Sequence, residues 1–272
     1  MNPSQKNDTS ECPDHDDQAL EFWEARRADA QKNKTWVSML YSERDLKFEV
    51  GGAETTWRIV STIVDRWDER NEWPYTARGV LECTRIDEGC EEENAILKVY
   101  IQIPAREEEY GEADPDPDPP IYVQPEIKAL KMMSPMGKEA PGPSLLAARC
   151  SQQSEDMWVP RGFLCMLLME KLPGITLKWK DYWSWSEIEQ NEVCDAFAVT
   201  YRKLQQLKIR HWDPALRNIL WDKKNQKCYI VDYEGATFPH EMSNRVDSFH
   251  FQAWDLKRVI VGRYDDGEPI YG

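Results

Sequence analysis

Residues 209–220 read IRHWDPALRNIL, and residues 229–234, which begin eleven positions after Asn218, read YIVDYE. The first segment has the spacing His-x-Asp-x-x-x-x-Asn and runs into an apolar strand, and a lysine-rich turn joins that strand to a second one. This pattern predicts a small β-hairpin with Asp213, Asn218 and Asp232 gathered at one edge. Carboxylate and amide oxygens are hard ligands that suit Mg²⁺, which keeps several waters and bridges to substrate phosphates.

Strand signals come first along the chain and helix signals come later. Runs rich in β-branched and aromatic residues predict strands at 46–50, 57–64, 79–86, 95–103 and 162–170, with an apolar segment at 145–150. Helical periodicity predicts helices at 17–32, 125–133 and 187–207 and another near 245–261. This order indicates an α+β protein with a sheet-rich N-terminal part and a helical C-terminal part.

Together these motifs resemble the protein-kinase-like superfamily, specifically its aminoglycoside phosphotransferase and choline kinase branch. The resemblance implies that Asp213 accepts the proton of the attacking hydroxyl and that Asn218 and Asp232 bind the metal. Glu234 stands where protein kinases carry glycine, and the triplet Asp-aromatic-Glu looks like that of the small-molecule branch. The fold implied is α+β and two-lobed, with an antiparallel-sheet N-lobe and a mainly helical C-lobe, and the implied cofactors are ATP and Mg²⁺.

The resemblance assigns roles to residues outside the hairpin as well. The segment Ala95-Ile96-Leu97-Lys98-Val99 is similar to the strand whose lysine pairs the α- and β-phosphates, and Glu126 is the natural ion-pair partner of Lys98. Glu170 to Leu172 look like the hinge whose backbone groups hydrogen-bond adenine. Two further residues of the catalytic loop, His211 and Arg217, have supporting roles. We expect His211 to hold the loop through backbone hydrogen bonds.

The chain also departs from the family pattern. Residues 64–78 contain no glycine where a glycine-rich phosphate loop is expected, and Gly51-Gly52 comes too early in the strand order. Position 215 is Ala, two residues after Asp213, where protein kinases usually place a lysine. Arg217 supplies a compensating positive charge there, or serves as a surface or fold-stabilising arginine.

The organisation expected from these features has three parts. Residues 1–44 form a polar tail and an N-terminal helical extension, and residues 45–172 form the N-lobe. An acidic, proline-rich insertion at 107–120 interrupts the N-lobe and serves as a solvated spacer or as a docking segment for a protein partner. Residues 173–272 form a reduced helical C-lobe that carries the catalytic-loop motifs.

Composition limits the partners and the compartment. The net charge of −15 disfavours binding to nucleic acid or to an anionic membrane, and no apolar run approaches the roughly 20 residues that span a bilayer. We expect a cytoplasmic protein, with the nucleus as the alternative. The seven scattered cysteines predict buried free thiols in place of a disulfide framework or a metal site.

Three functions remain open at this level. The first is an ATP- and Mg²⁺-dependent phosphotransferase that acts on a small-molecule hydroxyl, with a nucleotide and a small acceptor as its ligands. The second is a kinase-like pseudoenzyme that binds or scaffolds a partner, which the missing glycine loop favours. The third and lowest-ranked is a protein Ser/Thr kinase, because only 38 residues follow Glu234 and no Ala-Pro-Glu triplet is present.

Overall fold

The computed structural model describes residues 35–41, 45–67, 75–89, 93–104 and 114–258 in full. It also describes residues 25, 28–30, 32 and 33, which include helical residues, and the backbone of residues 260–263 and 269–271. Most of the helix predicted at 17–32 lies outside these residues, as do positions 107–113 of the acidic insertion.

A six-stranded antiparallel sheet makes up most of the N-terminal part. Its strands stand in the order β1-β2-β3-β4-β6-β5. Their bounds are Asp45–Val50 (β1), Ala53–Trp67 (β2), Thr76–Arg85 (β3), Asn94–Gln102 (β4), Leu145–Gln152 (β5) and Phe163–Glu170 (β6). Every strand predicted in this region is confirmed, with boundaries that differ by a few residues. The mixed α+β class and the antiparallel sheet are likewise confirmed.

The Gly51-Gly52 pair forms the tight turn between β1 and β2. Both residues have positive φ, 61° and 85°, which is the geometry of a two-residue hairpin turn. In the sheet order, β3 separates β2 from β4, the strand that carries Lys98. These glycines therefore belong to the β1–β2 turn and not to the connection between β2 and β3. Residues 68–74 of that connection are outside the described range.

The central strands β4 and β6 are buried on both faces, and alternate residues of each strand pack into different cores. On β6 the odd-numbered residues, such as Phe163 and Leu167, belong to one hydrophobic cluster, while Leu164 and Leu168 belong to another. The first cluster continues into the C-terminal part of the chain. The second is covered by a short helix, α1 (Ser38–Tyr41), and its flanking residues. Even-numbered residues of β4 share the face that looks towards the C-terminal part.

Between β4 and β5 the chain forms helix α2 (Val123–Met133) and a 3₁₀ segment (Ser134–Glu139). The helix predicted at 125–133 is thereby confirmed. The end of the acidic insertion is anchored, because the Gln102 side chain donates to the carbonyl of Asp114 and accepts from the amide of Asp116. The described part of this insertion is thus fixed to β4.

The C-terminal part combines helices with a small three-stranded sheet. Its elements are β7 (Ile175–Thr176), α3 (Trp179–Tyr182), α4 (Glu187–Gln206), a 3₁₀ turn (Leu216–Asn218), β8 (Ile219–Asp222), β9 (Lys227–Ile230), α5 (Ser248–Ala253), β10 (Ile260–Arg263) and β11 (Pro269–Tyr271). The predicted hairpin is β8–β9. A capping box of Ser186 and Glu189 starts α4, and this helix confirms the one predicted at 187–207.

The long helix predicted near 245–261 is wrong. Helix α5 has six residues, and residues 260–263 form a strand. Asp247 caps the start of α5, and Asp255 adopts φ 57° soon after its last residue. A residue with a left-handed backbone conformation commonly terminates a helix. The helix therefore stops here, although the apolar pattern of the sequence continues.

The cysteine prediction is wrong for one pair. Cys150 and Cys165 face each other directly across the β5–β6 register and form a disulfide. Cys83, Cys194 and Cys228 are free and buried, as expected, and Cys12 and Cys90 lie outside the described residues. The sequence showed no pairing pattern because a cross-strand contact depends on register.

Across the described residues, no helix has both the length and the apolarity needed to cross a membrane.

Candidate active site

Lys98 lies at the centre of a buried charge cluster between the sheet and the β8–β9 hairpin. Its side chain is 8% exposed, and its Nζ lies 2.9 Å from Oε1 of Glu126. The same ammonium lies 2.7 Å from Oδ1 of Asp232 and 2.9 Å from Oε1 of Glu234. Lys98 reaches these carboxylates because position 98 of β4 faces the C-terminal part of the chain.

Tyr100 joins two of these carboxylates from the same strand. Its hydroxyl donates to Oε2 of Glu126 and lies 3.0 Å from Oε1 of Glu234. Tyr100 lies two positions after Lys98 and therefore faces the same side of β4. Glu126 sits in the first turn of α2, and its side chain is 2% exposed.

Arg78 on β3 completes the cluster from the neighbouring strand. Its Nη1 lies 2.6 Å from Oε2 of Glu234, and its guanidinium stacks 4.4 Å from the centre of the Tyr122 ring. The cluster thus contains three carboxylates, of Glu126, Asp232 and Glu234, and two cations, of Lys98 and Arg78.

Burial and charge act against each other at these groups. Burial by itself would lower the pKa of Lys98, but the carboxylates of Glu126, Asp232 and Glu234 outweigh it and raise that pKa. Burial raises the pKa of Glu126 more than Lys98 lowers it. At Asp232 burial again works to raise the pKa, but the attraction and hydrogen bond of Lys98 prevail and lower it. Lys98 and Asp232 are therefore a charged pair at neutral pH.

His211 fixes the loop that carries Asp213. The backbone amide of Asp213 donates to Nδ1 of His211 at 3.1 Å, which leaves Nε2 to donate to the carbonyl of Val231 at 3.0 Å. Burial lowers the pKa of His211, so the ring is neutral and holds this tautomer. His211 thus connects Asp213 to the residue that precedes Asp232.

Asn218 and Arg217 hold the carboxylate of Asp213. Asn218 Nδ2 donates to the carbonyl of Asp213 at 2.8 Å and lies 3.4 Å from its Oδ2. Arg217 Nη2 lies 2.6 Å from the same Oδ2, although at least half of each of these two side chains is exposed to solvent. The Asp213 side chain is 50% exposed, so one face of it remains open to a ligand.

The hairpin places Asn218 and Asp232 at the same end of the small sheet. Ile219 pairs with Ile230, and the amide of Val231 donates to the carbonyl of Asn218 at 3.0 Å. Asp232 adopts φ 67°, an unusual conformation for a residue other than glycine. Strain of this kind persists where surrounding contacts hold a side chain in place, and here Lys98 does so.

The donor set fits Mg²⁺ in part. Within the described range no three His, Cys, Asp or Glu side chains form a group able to hold a metal. Asp232 keeps a second carboxylate oxygen, and Asn218 keeps its amide oxygen because Nδ2 is already bonded to Asp213. Two protein oxygens are sufficient for Mg²⁺, which takes its other ligands from water and phosphate. Asp232 and Asn218 would hold the ion.

Glu170 and Leu172 were expected at an adenine-binding hinge; Glu170 is the last residue of β6, and Leu172 lies two positions beyond it. The backbone amide of Glu170 donates to the carbonyl of Ser144 at 2.9 Å, so this donor is already used within the protein. Leu172 is half-buried in the segment between β6 and β7.

Sequence reasoning missed Arg78 and Tyr100. Tyr100 carried a usable signal, because it lies two positions after Lys98 on the same strand and so points to the same face. Arg78 carried none, because its contact with Glu234 spans 156 positions and depends on the β3–β4 register.

No family model matches the chain, and no curated protein matches it. The fold is similar to the solved structure of the PK-1 kinase of Cydia pomonella granulovirus, with a TM-score of 0.41 and 15% sequence identity. The match covers 67% of this chain and 52% of that one, so the chain spans about half the length of the kinase it matches.

Proposed function

We propose that this protein is an ATP- and Mg²⁺-dependent phosphotransferase with a two-lobed, kinase-like fold, which acts on the hydroxyl of a small molecule. The observation that carries the proposal is the contact of Lys98 with both Glu126 and Asp232, at 2.9 and 2.7 Å. In kinases a strand lysine paired with a helix glutamate binds the nucleotide phosphates, and the aspartate that follows a hairpin binds the metal, so this contact brings together the residues of both roles.

The loop that carries Asp213 supports the same function. Asp213 is held by His211 and Asn218 through hydrogen bonds of 3.1 and 2.8 Å, and its carboxylate is half exposed. In the reaction Asp213 would orient the acceptor hydroxyl and take its proton as the oxygen bonds to the γ-phosphorus. The bond to the β,γ-bridging oxygen breaks at the same time, which yields ADP and a phosphate ester.

The other residues act by position and charge. Lys98 would bind the phosphates, and Asn218 and Asp232 would hold Mg²⁺, which neutralises the charge that develops on the phosphates. Arg217 lies 2.6 Å from Asp213 and would place a positive charge beside the transferring group. Glu234 forms ion pairs with Lys98 and Arg78 and would position these two cations beside the proposed metal ligand Asp232.

We assign the small-molecule branch because Glu234 follows Asp232 by two positions in an Asp-aromatic-Glu triplet. The proposed ligands are a nucleotide and a small acceptor, in the cytoplasm and without nucleic acid or membrane. The insertion at 107–120 is the proposed place for a protein partner.

The test begins with nucleotide binding. A ligand that binds only the native state stabilises it and so raises the melting temperature. At a hundredfold excess over Kd the stabilisation is about 2.7 kcal/mol. We expect Mg·ATP to stabilise the wild-type protein and to lose this effect in Asp232→Asn. Asp195→Asn is the matched control, because Asp195 is exposed on helix α4.

Transfer is then measured with γ-labelled ATP and a panel of hydroxyl acceptors. Asp213→Asn should retain the Mg·ATP stabilisation and lose about 10²- to 10⁴-fold in transfer rate, the usual contribution of a general base. Equal transfer by Asp213→Asn and wild type would contradict the mechanism.

A second function, a kinase-like pseudoenzyme that binds a partner, is favoured by the glycine-free segment 64–78 and by the ion pair of Arg217 with Asp213. Nucleotide stabilisation without transfer to any acceptor would support it, as would no stabilisation at millimolar Mg·ATP in a folded protein.

A further inference from the structure

Two arginines lie directly opposite each other at the end of the β2–β3 hairpin that is next to the connection between these strands. The register pairs Asp65 with Gly79, Arg66 with Arg78 and Trp67 with Ala77. Residues that are directly opposite in an antiparallel pair project to the same face of the sheet. Arg66 and Arg78 therefore share one face.

The face they share is the one that carries Lys98. On the opposite face, the amide of Ser38 donates to Asp65 at 2.7 Å, and the side chain of Val37 packs so tightly on Gly79 that a Cβ there would lie 2.4 Å from it. These contacts put Asp65 and Gly79 against α1. Arg66 and Arg78 consequently project from the face of the sheet that carries Lys98, where Arg78 reaches Glu234.

Like charges directly opposite in a sheet are unfavourable unless an anion compensates them. Glu234 compensates Arg78 at 2.6 Å. Arg66 is exposed and forms no ion pair with any residue in the described ranges.

We propose that Arg66 binds the phosphates of the nucleotide through its guanidinium, in place of the backbone amides of a glycine-rich loop. The inference rests on the proposed function, because it concerns the phosphate end of the same site. In glycine-rich loops, backbone amides approach the phosphates closely and bind them. Residues 64–78 contain no glycine, so a side-chain donor takes over this role here. A guanidinium suits this role because it binds phosphate oxygens in a bidentate manner.

The overall charge gives a reason for such a residue. With a net charge of −15, the protein as a whole repels a polyphosphate, and local cations must offset this repulsion. Lys98 is already shared by three carboxylates, and Arg78 is bound to Glu234. Arg66 is the cation on this face of the hairpin that the described residues leave available to an anion.

Isothermal titration of the full chain tests the proposal with three probes: Mg·ATP, Mg·tripolyphosphate and adenosine. Arg66→Gln should weaken binding of the two phosphate-bearing probes about tenfold or more, the cost of a lost charge-assisted hydrogen bond, and leave adenosine unchanged. The affinity of Arg66→Lys for these two probes should lie between those of the wild type and Arg66→Gln. Arg58→Gln is the matched control, because Arg58 is an exposed arginine on the same strand, paired with Asp45. Melting temperatures check that each variant is folded.

The outcomes separate this inference from the proposed function. Equal phosphate affinity in Arg66→Gln and Arg58→Gln overturns the inference even if the protein transfers phosphate. Tripolyphosphate binding that depends on Arg66, without preference for ATP and without adenosine binding, keeps the inference and contradicts the nucleotide site. A wild-type protein that binds neither phosphate probe overturns both.

Discussion

The ammonium of Lys98 lies 2.7 Å from Oδ1 of Asp232, a residue 134 positions further along the chain. This contact joins a strand of the large sheet to the end of the small hairpin, so that one residue serves both the integrity of the fold and the proposed chemistry. Because Glu126 and Glu234 share the same ammonium, loss of Lys98 would leave three carboxylates close together in a buried site.

Replacing Lys98 by methionine should strongly destabilise the protein. Removing one partner of a buried ion pair typically costs about 3–5 kcal/mol, because it leaves an uncompensated buried charge. Urea denaturation monitored by tryptophan fluorescence gives the change in unfolding free energy. Lys98→Arg, which retains the charge, should cost markedly less.

The double variant Lys98→Met with Glu126→Gln separates charge from packing. Neutralising Glu126 removes one of the buried carboxylates that Lys98→Met leaves unpaired, so the double variant should be more stable than Lys98→Met alone. Strictly additive losses would contradict the charge cluster as the source of the effect.

Stability should fall on mild acidification because of His211. Burial lowers the pKa of His211 in the folded state below its ordinary value of about 6.5, so the unfolded chain binds the proton more readily. The contribution is complete above about pH 6.5 and is lost as the pH falls towards the folded-state pKa. Protonation would also place a hydrogen on Nδ1, which now accepts from the amide of Asp213.

We expect His211→Gln to flatten the unfolding free energy between about pH 7 and 5 relative to wild type. His240→Gln is the control, because His240 is exposed. The explanation fails if both variants retain the wild-type slope.

Gly174, which links β6 to β7, should not tolerate a side chain. It has φ 104°, and a Cβ there would lie 2.6 Å from the carbonyl oxygen of Trp221. Gly89 has φ 76° with no atom within 4 Å of the corresponding position. Gly89→Ala should therefore cost only the left-handed backbone penalty, about 1–2 kcal/mol.

Gly174→Ala should cost at least about 1–3 kcal/mol more than Gly89→Ala, because the β8 backbone must move. Chemical denaturation of both variants measures the difference. Similar losses at the two positions would show that the approach to Trp221 is less restrictive than the structure indicates.

Reduction of the Cys150–Cys165 disulfide should lower stability. The bond closes a loop of 15 residues, for which the loss of chain entropy in the unfolded state corresponds to about 3 kcal/mol. We expect a reducing agent to lower the unfolding free energy of the wild type and to leave Cys150→Ser unaffected. A wild-type protein with no response to reductant would contradict the presence of this bond.

Local patterns predicted much of this molecule because they act over short distances. Runs rich in β-branched and aromatic residues indicated β3, β4 and β6, and helical periodicity indicated α4. The spacing from His211 to Asn218 likewise predicted the loop and hairpin, since a hydrogen-bonded turn and two short strands follow from neighbouring residues. By contrast, the extent of α5 was misjudged, because the left-handed turn at Asp255 ends it against the apolar pattern.

Contacts between distant segments required the folded structure. Arg78 meets Glu234, Cys150 meets Cys165, and Arg66 stands opposite Arg78 because strand register places them so, and a shift by one residue would turn each side chain to the other face. The sharing of Lys98 among three carboxylates likewise arises from the packing of the sheet on the hairpin. Residue types along the chain indicated the chemistry of the site, whereas register and packing set which charges neutralise one another and which remain available to a ligand.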